Sequence, residues 1–188
     1  MNYYSKHAKE YINNTKDIDM KEYYDVFESY LKPNSKILDV GFGSGRDSLY
    51  FKNKGYEVIS IDPIKEFCEK GKSIGLDNVI QMSIEDIKYN NEFDAIWACA
   101  SLLHLESNKL VDVFNKCYRA LKDNGVMYVS FKYGEFEGVI DDRYFTYLVE
   151  ESFINIINQT KFKIDKIWIN NEDKLNRDVK WLNGLLIK

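Results

Sequence analysis

Asp39 and Asp62 flank a turn in which Gly41, Gly43 and Gly45 alternate with Phe42 and Ser44. Alternating glycines let a backbone reverse sharply and approach a ligand closely. The same pattern also serves any tight strand-to-helix turn. The dinucleotide fingerprint is Gly-x-Gly-x-x-Gly. Here the third glycine comes one residue early and Arg46 takes the sixth position. Asp39 lies two residues before the first glycine, in an otherwise apolar run. A carboxylate there repels a pyrophosphate and can hold an ammonium group. Asp62 follows the glycines by about 20 positions, where a carboxylate accepts hydrogen bonds from both hydroxyls of a ribose. Its alternative role is the cap of a helix entered through Pro63. Opposite a glycine loop, the ribose reading prevails. His104 is one of two histidines, the other being His7. With an ordinary pKa near neutrality, it can take a proton from an oxygen or nitrogen nucleophile, or simply order its loop.

These residues need a frame. Lys36–Val40 is a short apolar run ending at the glycines, as a buried strand does. The pattern predicts further strands over 56–61, 79–82, 93–98 and 126–131, with helices over 46–54, 64–72 and 108–121 between them. A turn is expected at Asp123-Asn124-Gly125. Strands alternating with helices predict a parallel sheet covered on both faces. Ligands of such sheets bind at the carboxyl ends of the strands, at the switch point. Two aromatic helices, 3–14 and 20–31, precede this core, and Tyr3, Tyr4 and Tyr11 either close over the site or merely pack. A last helix is expected over 147–158, and a final strand pair over 162–169 and 179–187, joined by a polar stretch. Tyr133 is expected in the cleft, and Arg143 and Tyr144 in a polar loop able to meet an anionic acceptor. Arg46 either reaches a carboxylate or pairs with Asp47.

The stretches ILDVGFGSGRDS, VISID and EFDAIWACASLLHL resemble the class I S-adenosylmethionine-dependent methyltransferases. FKYGE and RDVKWLNGLL extend the likeness to a small bacterial group beside the tellurite-resistance-type methyltransferases. The resemblance implies a Rossmann-like α/β fold: a doubly wound, mostly parallel seven-stranded sheet whose last strand is antiparallel. It implies S-adenosylmethionine as cofactor. Asp39 and the Gly41–Gly45 backbone, with Phe42 and Arg46, would hold the methionine end. Asp62 and Pro63 would take the ribose, and Ser83, Ile84 and Glu85 would border the adenine. Ala98 and Cys99 would lie under the sulfonium. His104 and Tyr133 are the catalytic candidates. Phe42 stands where many relatives carry cysteine or alanine, which leaves the backbone role of the glycines intact.

With 188 residues, the chain reads as one domain, a lid over 1–32 on a core over 33–188. A net charge of −4 and the absence of an Asn-Pro-Pro-Tyr-type motif at Ala98–Ser101 disfavour a nucleic-acid acceptor. Cys68, Cys99 and Cys117 form no Cys-x-x-Cys pair, so neither a zinc site nor a disulfide framework is expected. No apolar run approaches a membrane span of about 20 residues. The expectation is a cytoplasmic monomer or homodimer acting on a small molecule, without metal. Rival readings are an RNA or protein methyltransferase, a non-catalytic cofactor-binding regulator, and a nicotinamide oxidoreductase, which the glycine spacing and Asp39 disfavour.

Overall fold

The computed structural model describes residues 3–170 and 179–188. The polar stretch expected between the last two strands therefore lies outside the described residues over 171–178, as do Arg177 and Asp178 of the RDVKWLNGLL stretch.

Two helices open the chain, α1 (Tyr3–Thr15) and α2 (Lys21–Glu28). The core then alternates β1 (Lys36–Val40), α3 (Arg46–Asn53), β2 (Glu57–Asp62), α4 (Lys65–Ser73), β3 (Asn78–Gln81), β4 (Phe93–Ala98), α5 (Ser107–Ala120) and β5 (Leu121–Lys132). A hairpin, β6 (Glu137–Ile140) and β7 (Arg143–Thr146), precedes α6 (Glu150–Ile157), β8 (Lys163–Asn170) and β9 (Trp181–Ile187). Seven strands form one sheet in the order β3-β2-β1-β4-β5-β9-β8. The first five positions run parallel, and β9 pairs antiparallel with both β5 and β8. This is the methyltransferase-type Rossmann-like sheet expected of the sequence, with the reversed strand inserted beside β5.

Hydrophobic periodicity explains the layers. In α5, Leu110, Val113, Phe114, Cys117 and Ala120 are buried at helical spacing, against one sheet face. On the other face Trp97 stacks on Tyr128 at 4.1 Å between ring centroids, with Phe27 and Phe51 edge-on to the indole. Asp47 ties this layer together. It accepts from Trp97 Nε1 at 2.9 Å, from the Tyr24 hydroxyl, and from Arg46 Nε at 2.6 Å. Arg46 Nη1 in turn donates to the Thr15 carbonyl at 3.2 Å. One ion pair thus binds α1, α2 and α3 to the sheet.

Three expectations are corrected. The Asp123–Gly125 turn is an irregularity inside β5, where Asn124 has φ +65° and the pairing with β4 shifts between Phe93 and Ala95. The supposed loop carrying Arg143 and Tyr144 is strand β7, paired with β6. Pro63 precedes α4 rather than entering its first turn, because the helix starts at Lys65. No described helix is long and apolar enough to cross a membrane. All three cysteines are free thiols.

Candidate functional site

The carboxyl ends of β1, β2, β4 and β5 open into two cavities. The larger, about 840 Å³, is walled by the Asp62–Ile64 turn, by Met82–Glu85 after β3, by Ser101–Leu102 after β4, and by Tyr4 and Tyr11 of α1. The smaller, about 160 Å³, is walled by Phe42, Ser44, Arg46 and Cys99, and by Tyr128, Ser130 and Lys132 of β5. Tyr23, Phe145, Trp181 and Asn183 also line it. Gly41, Ala100, His104, Tyr4, Tyr11 and Arg143 border both. The two cavities therefore meet at the switch point between β1 and β4.

The glycine loop is shaped for a close neighbour. Gly41, Gly43 and Gly45 have φ of +67°, +53° and +84°, the region that glycine alone enters freely. A Cβ on Gly43 would lie 3.0 Å from Tyr11 Cε1, so α1 presses directly on the loop. Gly45 borders neither cavity. A Cβ there would meet Ile74 Cδ1 at 2.6 Å, so its part is packing. Ala100 also takes a positive φ, +51°, and its N–H donates to Ser130 Oγ at 2.8 Å. Strain of this kind in a non-glycine residue is held in place by its surroundings and gathers at functional sites.

Asp62 holds the backbone on both sides of the cavity wall. Its Oδ1 accepts the N–H of Ile64, the residue before α4, at 2.9 Å, and its Oδ2 accepts the Gly43 N–H at 3.1 Å, which fixes the loop. Burial pushes its pKa up to about 6 against those two bonds. Pro63, Ser83, Ile84 and Glu85 line the larger cavity with it. Asp39 is turned away from both cavities. It is 2% exposed, borders neither cavity, and accepts from Ser48 Oγ at 2.5 Å. Burial and the neighbouring Asp47 push its carboxyl well above the ordinary range. Ala98 is fully buried on the far side of the strand, whereas Cys99 reaches the smaller cavity. Burial raises the Cys99 thiol to about 12, so it stays protonated.

His104 sits where the cavities meet. Its Nδ1 lies 2.8 Å from the Tyr144 carbonyl, which can only accept, so Nδ1 carries the proton. Nε2 then accepts from the Tyr4 hydroxyl at 2.7 Å. Burial, with the positive charges of Arg143 and Lys132, pushes the pKa down to about 4. The imidazole is neutral at pH 7, well below the near-neutral value expected of an unperturbed histidine.

Tyr133 is a correction. It borders neither cavity, and its hydroxyl bonds Glu150 instead. Side chains alternate along a strand. Tyr128, Ser130 and Lys132 therefore face the smaller cavity, and Tyr133 faces away. That parity was the available signal for Lys132. Phe145, Trp181 and Asn183, reaching the cavity from β7 and β9, carried no local signal.

Residues 38–129 match a family model described as a methyltransferase domain. Phosphoethanolamine N-methyltransferase of Plasmodium falciparum is 27% identical over 147 residues, covering 71% of this chain and 55% of that protein. An uncharacterized methyltransferase of Staphylococcus carnosus is 26% identical over 197 residues, covering 89% of this chain and 92% of that one. This chain thus spans about half of the first relative and nearly all of the second. Among solved structures, Burkholderia thailandensis 1,6-didemethyltoxoflavin-N1-methyltransferase, with bound 1,6-didemethyltoxoflavin and S-adenosylhomocysteine, superposes with a TM-score of 0.80. The identity is 16%, over 98% of this chain and 84% of that one.

Proposed function

We propose that this chain, a class I S-adenosylmethionine-dependent methyltransferase, methylates a small molecule held in the smaller cavity, with the cofactor's adenosine in the larger. The observation that carries this reading is the meeting of the two cavities at Gly41, Ala100 and His104, at the strand ends. The residues suit the cofactor. Asp62 offers a fixed carboxylate for a ribose diol, and Ile64, Phe67, Met82 and Ile84 give an apolar slot for a base. The glycine loop, with Arg46 and Ser44, leaves room for the methionine end. When bound, the cofactor supplies an electrophilic sulfonium methyl group, so the protein's task is to position the acceptor and exclude water. Tyr4 and Tyr11 cover the junction from α1. The Tyr4 oxygen can accept a proton from an oxygen or nitrogen acceptor while its own proton passes to His104 Nε2. His104 holds that relay in orientation through its Nδ1–H bond to the Tyr144 carbonyl.

The proposed grouping with tellurite-resistance-type enzymes draws its support from the same two stretches, FKYGE and RDVKWLNGLL. They supply Lys132, Trp181 and Asn183 to the smaller cavity. Relatives named for phosphoethanolamine and 1,6-didemethyltoxoflavin support a small acceptor.

S-adenosylhomocysteine at about 100 times Kd is expected to add about 2.7 kcal/mol of stability, seen as a rise in Tm. No binding at millimolar ligand would remove the cofactor from the reading. Turnover, followed as S-adenosylhomocysteine formed across an acceptor panel, separates an enzyme from a binding protein.

Asp62→Ala is expected to weaken S-adenosylhomocysteine by about 1–3 kcal/mol and to lower Tm, because the Gly43 and Ile64 N–H groups lose their acceptor. The pH dependence has a definite sign. Only the carboxylate accepts from both ribose hydroxyls, and it is lost as pH falls through about 6. Affinity measured by calorimetry should therefore be constant above pH 7 and about tenfold weaker at pH 5. Without ligand the sign reverses. The folded pKa lies above the unfolded one, so Asp62 favours the fold at low pH, and that contribution is lost as pH rises through about 6. An Asp62→Ala protein that binds as wild type would confine Asp62 to holding the backbone at Ile64 and Gly43.

A further inference from the structure

We infer that the Ser101 hydroxyl binds the methyl donor, meeting a polar atom of its nucleoside half on the β4 side of Gly41, as Asp62 does on the β2 side. The inference rests on the methyltransferase reading and adds to it a donor-binding residue.

Two buried side-chain polar atoms have no hydrogen-bond partner among the described residues, Ser101 Oγ and Arg143 Nε. Both residues line the larger cavity. A buried hydroxyl without a partner gives up its bonds to water and regains nothing. Folded proteins pair the great majority of such groups, so an orphan on a cavity wall calls for a partner from the cavity. Ser101 borders the larger cavity and not the smaller, which puts its hydroxyl on the nucleoside side of the junction.

The chain around Ser101 offers its hydroxyl an ordinary role, and the role is not taken. Ser101 precedes a single helical turn, Leu102–His104. A serine in that place ordinarily turns its oxygen back to an N–H two or three residues on. Here the side chain makes no such bond, and the Ser101 carbonyl closes the turn instead, accepting the His104 N–H at 3.3 Å. The backbone before it is bent to bring it there. Ala100 has φ +51°, and its N–H is held by Ser130 Oγ of β5. That bend seats Ser101 directly on Gly41, where a Cβ would lie 2.6 Å from Ser101 Cβ. Gly41 thus lacks a side chain where Ser101 needs the room.

On its other side, the Gly41 N–H donates to the carbonyl of Ile61, the residue before Asp62, at 2.8 Å. β1 lies between β2 and β4 in the sheet. Asp62 and Ser101 therefore flank the glycine turn from its two neighbouring strands, a carboxyl and a hydroxyl on one cavity. The hydroxyl both donates and accepts, whereas an ionised carboxylate only accepts. Ser101 can therefore meet nucleoside atoms that Asp62 cannot.

Ser101→Ala is the test, because alanine keeps the Cβ that packs on Gly41 and removes only the oxygen. Two measurements should move in opposite directions. The unliganded variant should hold or gain Tm, since an unpaired buried hydroxyl has been removed. S-adenosylhomocysteine and adenosine, each followed by calorimetry, should bind about fivefold more weakly, and by the same factor. Unchanged affinity for S-adenosylhomocysteine overturns the inference. A lower Tm in the unliganded variant also overturns it, because the hydroxyl would then hold the turn rather than a ligand. The placement on the nucleoside half is overturned by a loss confined to S-adenosylhomocysteine. It is equally overturned if the wild-type protein binds S-adenosylhomocysteine but not adenosine at millimolar concentration. If S-adenosylhomocysteine fails to bind the wild-type protein, the methyltransferase reading falls and takes this inference with it.

Discussion

Gly43→Val is expected to weaken S-adenosylhomocysteine at least about 100-fold, a cost of about 2.7 kcal/mol, while far-ultraviolet circular dichroism stays that of the native fold. Two effects add. Gly43 has φ +53°, a region that costs an L-residue about 1–2 kcal/mol and suits a β-branched one worst. The new side chain also points at Tyr11, whose Cε1 would lie 3.0 Å from its Cβ. Either the tyrosine is displaced or the loop turns into the larger cavity and moves the N–H that Asp62 holds. Both outcomes fill or deform the donor space. Gly45→Val is the control. Gly45 has φ +84° and faces Ile74 outside both cavities, so its valine variant should lose Tm with much less loss of intrinsic affinity. Calorimetry on the two variants separates a ligand-facing glycine from a packing glycine. A Gly43→Val protein binding within about fivefold of wild type, about 1 kcal/mol, would mean that this loop does not cradle the ligand.

The contrast between those two glycines shows what the sequence made legible. The turn at Gly41–Gly45, the strand before it and Asp62 after it are local features, fixed by backbone chemistry within a few residues. Reading them required no knowledge of distant neighbours. The acceptor side is different. It is assembled from β5, the β6–β7 hairpin, β9 and α1, which are far apart in the chain. Trp181 pairs with Lys132 across the β5–β9 ladder, and Asn183 pairs with Ser130. Nothing near Asn183 in sequence announces that its Oδ1 takes the Tyr128 hydroxyl at 2.7 Å. Strand parity was readable, yet it had to be anchored on one residue of known direction. Taking the end of β5 as the site without its alternation selected Tyr133 in place of Lys132. On β4 the same alternation separates Trp97 and Cys99, on the site's side of the sheet, from Ala98. Asp39 shows a further limit. Its position in the motif was legible, but its carboxylate is taken by Ser48, in the first turn of α3, and borders neither cavity.

His104→Asn is expected to lower kcat by about 10²–10⁴-fold on an oxygen or neutral nitrogen acceptor, with S-adenosylhomocysteine affinity changed less than about threefold. Asparagine is the informative replacement. Its amide can still donate to the Tyr144 carbonyl, so the loop after β4 stays tied to β7, but it offers no basic nitrogen to the Tyr4 hydroxyl. Tyr4→Phe should cost a similar factor, because it removes the oxygen that faces the junction of the cavities. If the two act as one relay, the double variant should be little worse than either single one, a non-additivity that independent roles would not give. The pH profile carries the sign. With its pKa pushed down to about 4, His104 is neutral and able to accept across the physiological range. It becomes protonated only as pH falls through that value. At saturating cofactor and before an acceptor alters the local charge, the acid limb of kcat should therefore lie near pH 4 rather than near neutrality, and it should vanish in His104→Asn. Equal kcat in wild type and His104→Asn, with the same acid limb, would confine His104 to holding β7. Catalysis would then rest on the positioning of the acceptor between Tyr4, Tyr11 and the strand ends.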